Sequence, residues 1–247
     1  MLRLRCYKHL KIIRKEFWSN NMKKEFKSMF VIGNVVCLLL FNACGGKDSS
    51  KSSNKVKAVN DNASTLSLVS GNYTADSESS SVLWECGWLG GNSHNGDVYL
   101  EEGLLSIKDN NKLTGSFLVD MTTIDCHDEK NIGTKNKIIG HLKSDDFFDV
   151  KNYQKAKLEI ISSKNIGGNE FLFKGNLTIK GKTNSVQMKG NVQKSNRGYS
   201  ADINLVFDRS KYDVRYRSAA FFSDLGDRII SDDVFLNVKI KLNKALS

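Results

Sequence analysis

From residue 81 onward, apolar and polar side chains alternate with a period of two in one segment after another. Leu113, Gly115, Phe117, Val119 and Met121 interleave with Thr114, Ser116 and Asp120. Phe171, Phe173, Gly175, Leu177 and Ile179 interleave with Lys174, Asn176 and Thr178. The same pattern runs through Val186 to Val192, Tyr199 to Phe207 and Val234 to Leu242, with shorter examples at Ala156 to Ile160 and Val82 to Trp88. With Val98 to Ile107 added, it predicts about eight strands, each with one apolar and one wetted face, as in antiparallel sheets. The joints at Asp109-Asn110-Asn111, Lys180 to Asn184 and Ser195 to Gly198 are short and rich in Gly, Asn, Lys and Ser, which suits hairpins and leaves no room for helical crossovers. Two segments depart from the alternation. Lys135 to Ser144 places Ile138, Ile139 and Leu142 at helical spacing, and Ser218 to Ile230 does the same with Phe221, Phe222 and Leu225; both are expected to be short helices or irregular caps. A meander of this kind hides its apolar face by closing into a barrel or by pairing two sheets. Sequential hairpins favour the all-β, antiparallel up-and-down barrel, with one or two short helices.

The region before the alternation reads differently. Met29 to Ala43 is apolar and follows Lys23, Lys24 and Lys27. It falls short of the roughly 20 residues that span a bilayer, and it has the layout of a signal peptide, with Met22 as a natural start and residues 1–21 as an upstream extension. Phe41-Asn42-Ala43-Cys44 then resembles a bacterial lipobox, in which Cys44 is acylated and becomes the mature N-terminus. From Gly45 to about Ser70 the chain is rich in Ser, Lys, Asn and Gly, the composition of a flexible spacer. The expected organisation is a leader over 1–43, a tether over 44–70 and a barrel over 71–247.

This partition changes the meaning of the formal charge of +10: residues 1–43 hold nine Lys/Arg against two Glu, which leaves a net of only +3 from Cys44 onward. A nearly neutral domain lacks the electrostatic basis for binding nucleic acid. Once the leader is removed the cysteines are Cys44, Cys86 and Cys126, so Cys86 and Cys126 are left either to bridge or to remain free thiols. Outside the leader the histidines are His94, His127 and His141. No metalloprotease, redox, nucleophile-elbow or phosphate-loop motif accompanies them, so no enzyme and no cofactor is expected. Cys126-His127-Asp128 holds reactive groups, but neighbours on an extended chain point in opposite directions, so these three are not expected to converge as a catalyst or a metal site, and no metal site is expected.

A set of residues spread over nearly the whole domain resembles the YceI-like family. They are Trp84; His94-Asn95-Gly96; Val119-Asp120-Met121; Gly140-His141-Leu142-Lys143-Ser144 with Asp146 to Val150; Gly175 to Thr183; Asp208-Arg209 with Tyr212; and Tyr216-Arg217-Ser218 through Phe221-Phe222, Leu225-Gly226-Asp227 and Asp232-Asp233-Val234. The resemblance implies a lipocalin-like barrel in the bacterial envelope that takes up an isoprenoid or another long-chain amphiphile.

On that basis the inward faces supply the candidate ligand contacts: Trp84, Phe117, Val119, Leu158, Phe171, Phe173, Leu205, Phe207, Leu236 and Val238, together with Arg209. Arg209, with Arg217, has two readings: it meets a phosphate or polar headgroup, or it joins Asp208 in an ion pair or capped turn that fixes a barrel corner. His94-Asn95-Gly96 is expected to form a turn into the second strand. Asp145, Asp146 and Asp149 miss the spacing of a calcium loop and are expected at turns beside an aromatic plug of Phe147 and Phe148. The function expected is that of an outer-membrane lipoprotein, facing the periplasm, that carries a quinone or prenyl phosphate. Fatty acid or fatty amide carriage, a structural or stress role with a filled core, and assembly as a homodimer remain open alternatives.

Overall fold

The computed structural model describes residues 66–89, 91–108 and 112–245. Nine strands form one sheet: β1 (Gly71–Ala75), β2 (Ser81–Gly87), β3 (Ser93–Lys108), β4 (Lys112–Cys126), β5 (Lys155–Gly167), β6 (Glu170–Ile179), β7 (Lys182–Ser195), β8 (Gly198–Asp208) and β9 (Asp233–Lys244). From β3 to β9 each strand pairs antiparallel with the next, and β2 pairs with both β3 and β9, which closes the cylinder. β1 also bridges β3 and β9, beside Leu104 to Ile107 and Leu242 to Lys244, whereas β2 covers Ser93 to Val98 and Phe235 to Lys239. The two short strands are therefore successive halves of one stave, broken at 76–80, and the barrel has eight staves. β1 is the strand that the alternation does not predict, because Gly71–Ala75 carries a single large apolar residue, Tyr73.

The connections divide the barrel into two unlike ends. At one end the joints are short. At the other lie the connections 127–154 and 209–232, the first containing helix α1 (Ile132–Lys143). The helix contains the expected Ile138, Ile139 and Leu142 but starts at Ile132, three residues before Lys135, where Asn131 caps it by accepting from the Thr134 N–H. The second connection is largely irregular, with short 3-10 turns at Arg209–Tyr212 and Gly226–Arg228, and Phe221 and Phe222 remain exposed. The β6–β7 joint is a two-residue turn in which Lys180 (φ 50°) and Gly181 (φ 70°) both occupy the left-handed region, as a type I′ hairpin requires. Lys180 is held there by Nζ hydrogen bonds to the carbonyls of Asp145 and Asp213.

Two further boundaries differ from the sequence expectations. His94-Asn95-Gly96 is not a turn: all three lie in β3, paired with Cys86, Glu85 and Trp84, and none has positive φ. Gly96 is needed for a different reason, since a Cβ there would stand 1.8 Å from the Asp125 carbonyl oxygen. Leu66 to Ser70, assigned to the tether, instead crosses the short-loop end. Leu66 donates to the Gly168 carbonyl, Leu68 is buried, and Val69 donates to the Tyr199 hydroxyl while its carbonyl accepts from the Tyr73 hydroxyl. The leader, Cys44 and the tether up to residue 65 lie outside the described residues.

Candidate functional site

The inward faces enclose a cavity along the barrel axis. Trp84, Phe117, Val119, Leu158, Phe173, Leu205, Phe207, Leu236 and Val238 line it, and so does Arg209. Phe171 is fully buried but stands off the cavity wall, stacked on Phe173 with ring centroids 6.0 Å apart. The same alternation could have yielded Val82, Ile203, Ile240 and the other lining strand residues. It could not have yielded Leu142, Phe147 and Phe148, which come from the α1 connection and face the lumen only because the barrel closes beneath them.

Apart from Arg209 and Lys157 the lining carries no charge, and Lys157 points its ammonium at Glu159 (2.6 Å). Several inward residues, among them Trp84, Ile203, Leu236 and Val238, are only half-buried although they belong to the core side, because they border the void. The space amounts to about 180 Å³. That is below the roughly 300 Å³ at which ordinary ligand pockets begin, so the lumen is a small slot.

Arg209 closes the long-loop end of the slot. Its guanidinium is 1% exposed and donates to the carbonyls of Ser231 (2.9 Å), Val214 (2.9 Å) and Ile230 (3.1 Å). It also lies 3.3 Å from the Asp232 carboxylate and stacks over Phe147, with 5.9 Å to the ring centroid. Most of its donors are therefore engaged by the 209–232 connection and not aimed into the lumen. Asp208 is a turn cap: its carboxylate accepts from the Ser210 N–H and hydroxyl. Arg217, at φ 50°, stacks over Trp88 and Tyr216 outside the slot. Asp145, Asp146 and Asp149 sit in the turn after α1, beside buried Phe147, as their spacing suggested.

The two thiols are free. Cys86 is on the lumen side of β2, and Cys126 pairs with Gly96 of β3, so a whole strand separates them. Burial pushes both thiols up to about 11; at Cys126 the hydrogen bond to Asp128 adds to the effect, and at Cys86 nearby Arg209 opposes it. Cys126-His127-Asp128 fails to converge as a set, as expected, but only His127 is turned away. Cys126 Sγ donates to Asp128 Oδ1 (3.3 Å), and His94 from β3 brings Nδ1 to 2.9 Å from Asp128 Oδ2. His127 turns to the outer face, 3.2 Å from Asp97.

Residues 73–242 match the YceI-like domain. The chain belongs to the YceI-like family. Solved structures similar to this YceI-like protein include Burkholderia cenocepacia BcnA, at TM-score 0.52 and 20% identity over 67% of this chain and 98% of that one. Others are a polyisoprenoid binding domain from Saccharophagus degradans implicated in plant cell wall breakdown (TM-score 0.49, 12% identity, 70% and 98% covered) and the YceI protein of Campylobacter jejuni (0.41, 18%, 60% and 84%). No curated protein matches in sequence. The closed antiparallel barrel is thus the YceI-like fold.

Proposed function

We infer that this YceI-like barrel holds a long-chain isoprenoid, a quinone tail or a prenyl phosphate, with the chain threaded along the slot. The observation that carries the inference is the continuity of the apolar lining from the buried Leu68 end to Phe147, with no uncommitted charge along it. Each methylene-sized group taken out of water there contributes about 0.8 kcal/mol, so a chain binds tightly without a hydrogen bond. The location rests on the sequence: the signal-peptide layout and the lipobox-like Cys44 support a lipid-anchored protein of the cell envelope, on the outer membrane facing the periplasm.

Mass spectrometry of solvent extracts from protein purified out of its own membranes tests the ligand. An isoprenoid near one per chain supports the proposal, and a fatty acid or fatty amide in its place supports carriage of that class. The small volume favours a second reading, a filled barrel with a structural role. An empty extract, together with failure of the protein to take up added isoprenoids, decides for it. Incorporation of labelled fatty acid that is lost in Cys44→Ala tests the anchor.

A further inference from the structure

At the long-loop rim, on the inward side of the β3–β4 ladder, His94, Cys126 and Asp128 bring one nitrogen, one sulfur and one carboxylate to within 4.8 Å of one another. The geometry points to a binding site for a zinc-class divalent cation, held by His94 Nδ1, Cys126 Sγ and an Asp128 oxygen.

The donors converge because of the ladder. Gly96 pairs with Cys126, and without a side chain it lets the two strands approach closely. His94, two residues before Gly96, and Asp128, two after Cys126, therefore fall on the same face as the sulfur. Asp128 is fixed from a second direction by the Asn95 N–H (3.0 Å). The sulfur is fully buried, while the imidazole and carboxylate side chains are 39% and 27% exposed, so an ion has a protein floor and an open approach.

The spacings suit a small tetrahedral ion. Nδ1 and Sγ stand 2.9 and 3.3 Å from the two carboxylate oxygens. Zinc bonds of about 2.0 to 2.3 Å place tetrahedral ligands about 3.3 to 3.6 Å apart, a few tenths of an ångström wider. The ion takes the place of the protons now shared among the three groups. The thiol proton leaves to solvent, the proton that Nδ1 now directs at the carboxylate is given up so that a neutral imidazole protonated at Nε2 remains, and a doubly charged cation with one thiolate and one carboxylate is neutral, as suits a half-buried rim. A thiolate with an imidazole selects zinc, cobalt or copper over magnesium and calcium. The outer-face group Asp97, Asp125 and His127 has no sulfur, and its Asp125 is already paired with Lys135 at 2.7 Å.

The test uses the full chain, stripped of metal and then titrated with zinc and, separately, with cobalt. One zinc per chain is expected to survive dialysis, and the cobalt form is expected to show a near-ultraviolet thiolate-to-cobalt band. Cys126→Ser should abolish the band. His94→Gln and Asp128→Asn should each weaken zinc binding by more than about tenfold. His127→Ala and Cys86→Ser should change neither. A band that persists in Cys126→Ser, or is lost in His127→Ala or Cys86→Ser, overturns the site, as does wild-type protein that retains no more zinc than Cys126→Ser. Should Cys126→Ser not fold, the partly exposed His94 carries the test: undiminished zinc affinity in His94→Gln overturns the proposal.

Discussion

Asp232 stands 3.3 Å from the guanidinium of Arg209, which is 1% exposed and donates to three backbone carbonyls of the long 209–232 connection. One side chain thus pins the connection that roofs the barrel. Losing one partner from a buried pair costs about 3 to 5 kcal/mol, so Arg209→Ala should lower unfolding free energy by that amount in denaturant titration. Arg209→Lys should recover less than half, because an ammonium lacks the planar fork. A loss below about 1 kcal/mol would show that the pin is dispensable.

Gly96 is the tightest strand contact on the rim. An added Cβ meets the Asp125 carbonyl oxygen at 1.8 Å and Trp84 Cζ2 at 2.8 Å. Gly96→Ala should therefore destabilise by about 3 kcal/mol, the upper part of the range for overpacking, with a visible change in the Trp near-ultraviolet dichroism. A neutral melting profile contradicts the close approach.

Cys86 should report itself at alkaline pH. Its folded pKa of about 11 lies above its ordinary value of 9.0 because burial disfavours the thiolate. For a raised pKa the stabilising difference is fully present below the unfolded value and is lost as pH rises through the folded one. Wild-type protein should consequently lose more stability than Cys86→Ser between about pH 9 and 11, with the difference constant below that window. Parallel curves across the window would refute the shift.

Ile203 faces the void and is half-buried. Ile203→Trp should fill the slot and lower isoprenoid uptake at least about tenfold while the barrel still melts cooperatively. Uptake equal to wild type would move the ligand outside the lumen.

Leu66 to Ser70 closes the short-loop end through Leu68 and the Tyr73 and Tyr199 hydroxyls. Truncation to residue 71 should speed release of a bound isoprenoid, read by exchange into vesicles. An unchanged rate would mean that the ligand leaves by the Phe147 end.

Much of this was legible in the residues themselves. Alternation at Leu113 to Met121 or Val234 to Leu242 specifies which side chains share a face, because a strand offers only two. β1 was not legible: Gly71–Ala75 carries too short a pattern to stand out, and its pairing is set by the gap that β2 leaves between β3 and β9.

What the sequence by itself determined is therefore local: period-two strands, an apolar inner face, a helical segment around Ile138 and a nearly neutral domain behind a basic N-terminal stretch. The tertiary structure decided everything that depends on which strands become neighbours. Closure roofs the slot with Phe147 and Phe148, commits most donors of Arg209 to its own loop, and gathers Cys126 and His94, 32 positions apart, about Asp128 and not about the adjacent His127. The physical reason is that adjacent residues on a strand face opposite sides, so the groups that meet across a ladder are chosen by register, which no single segment encodes.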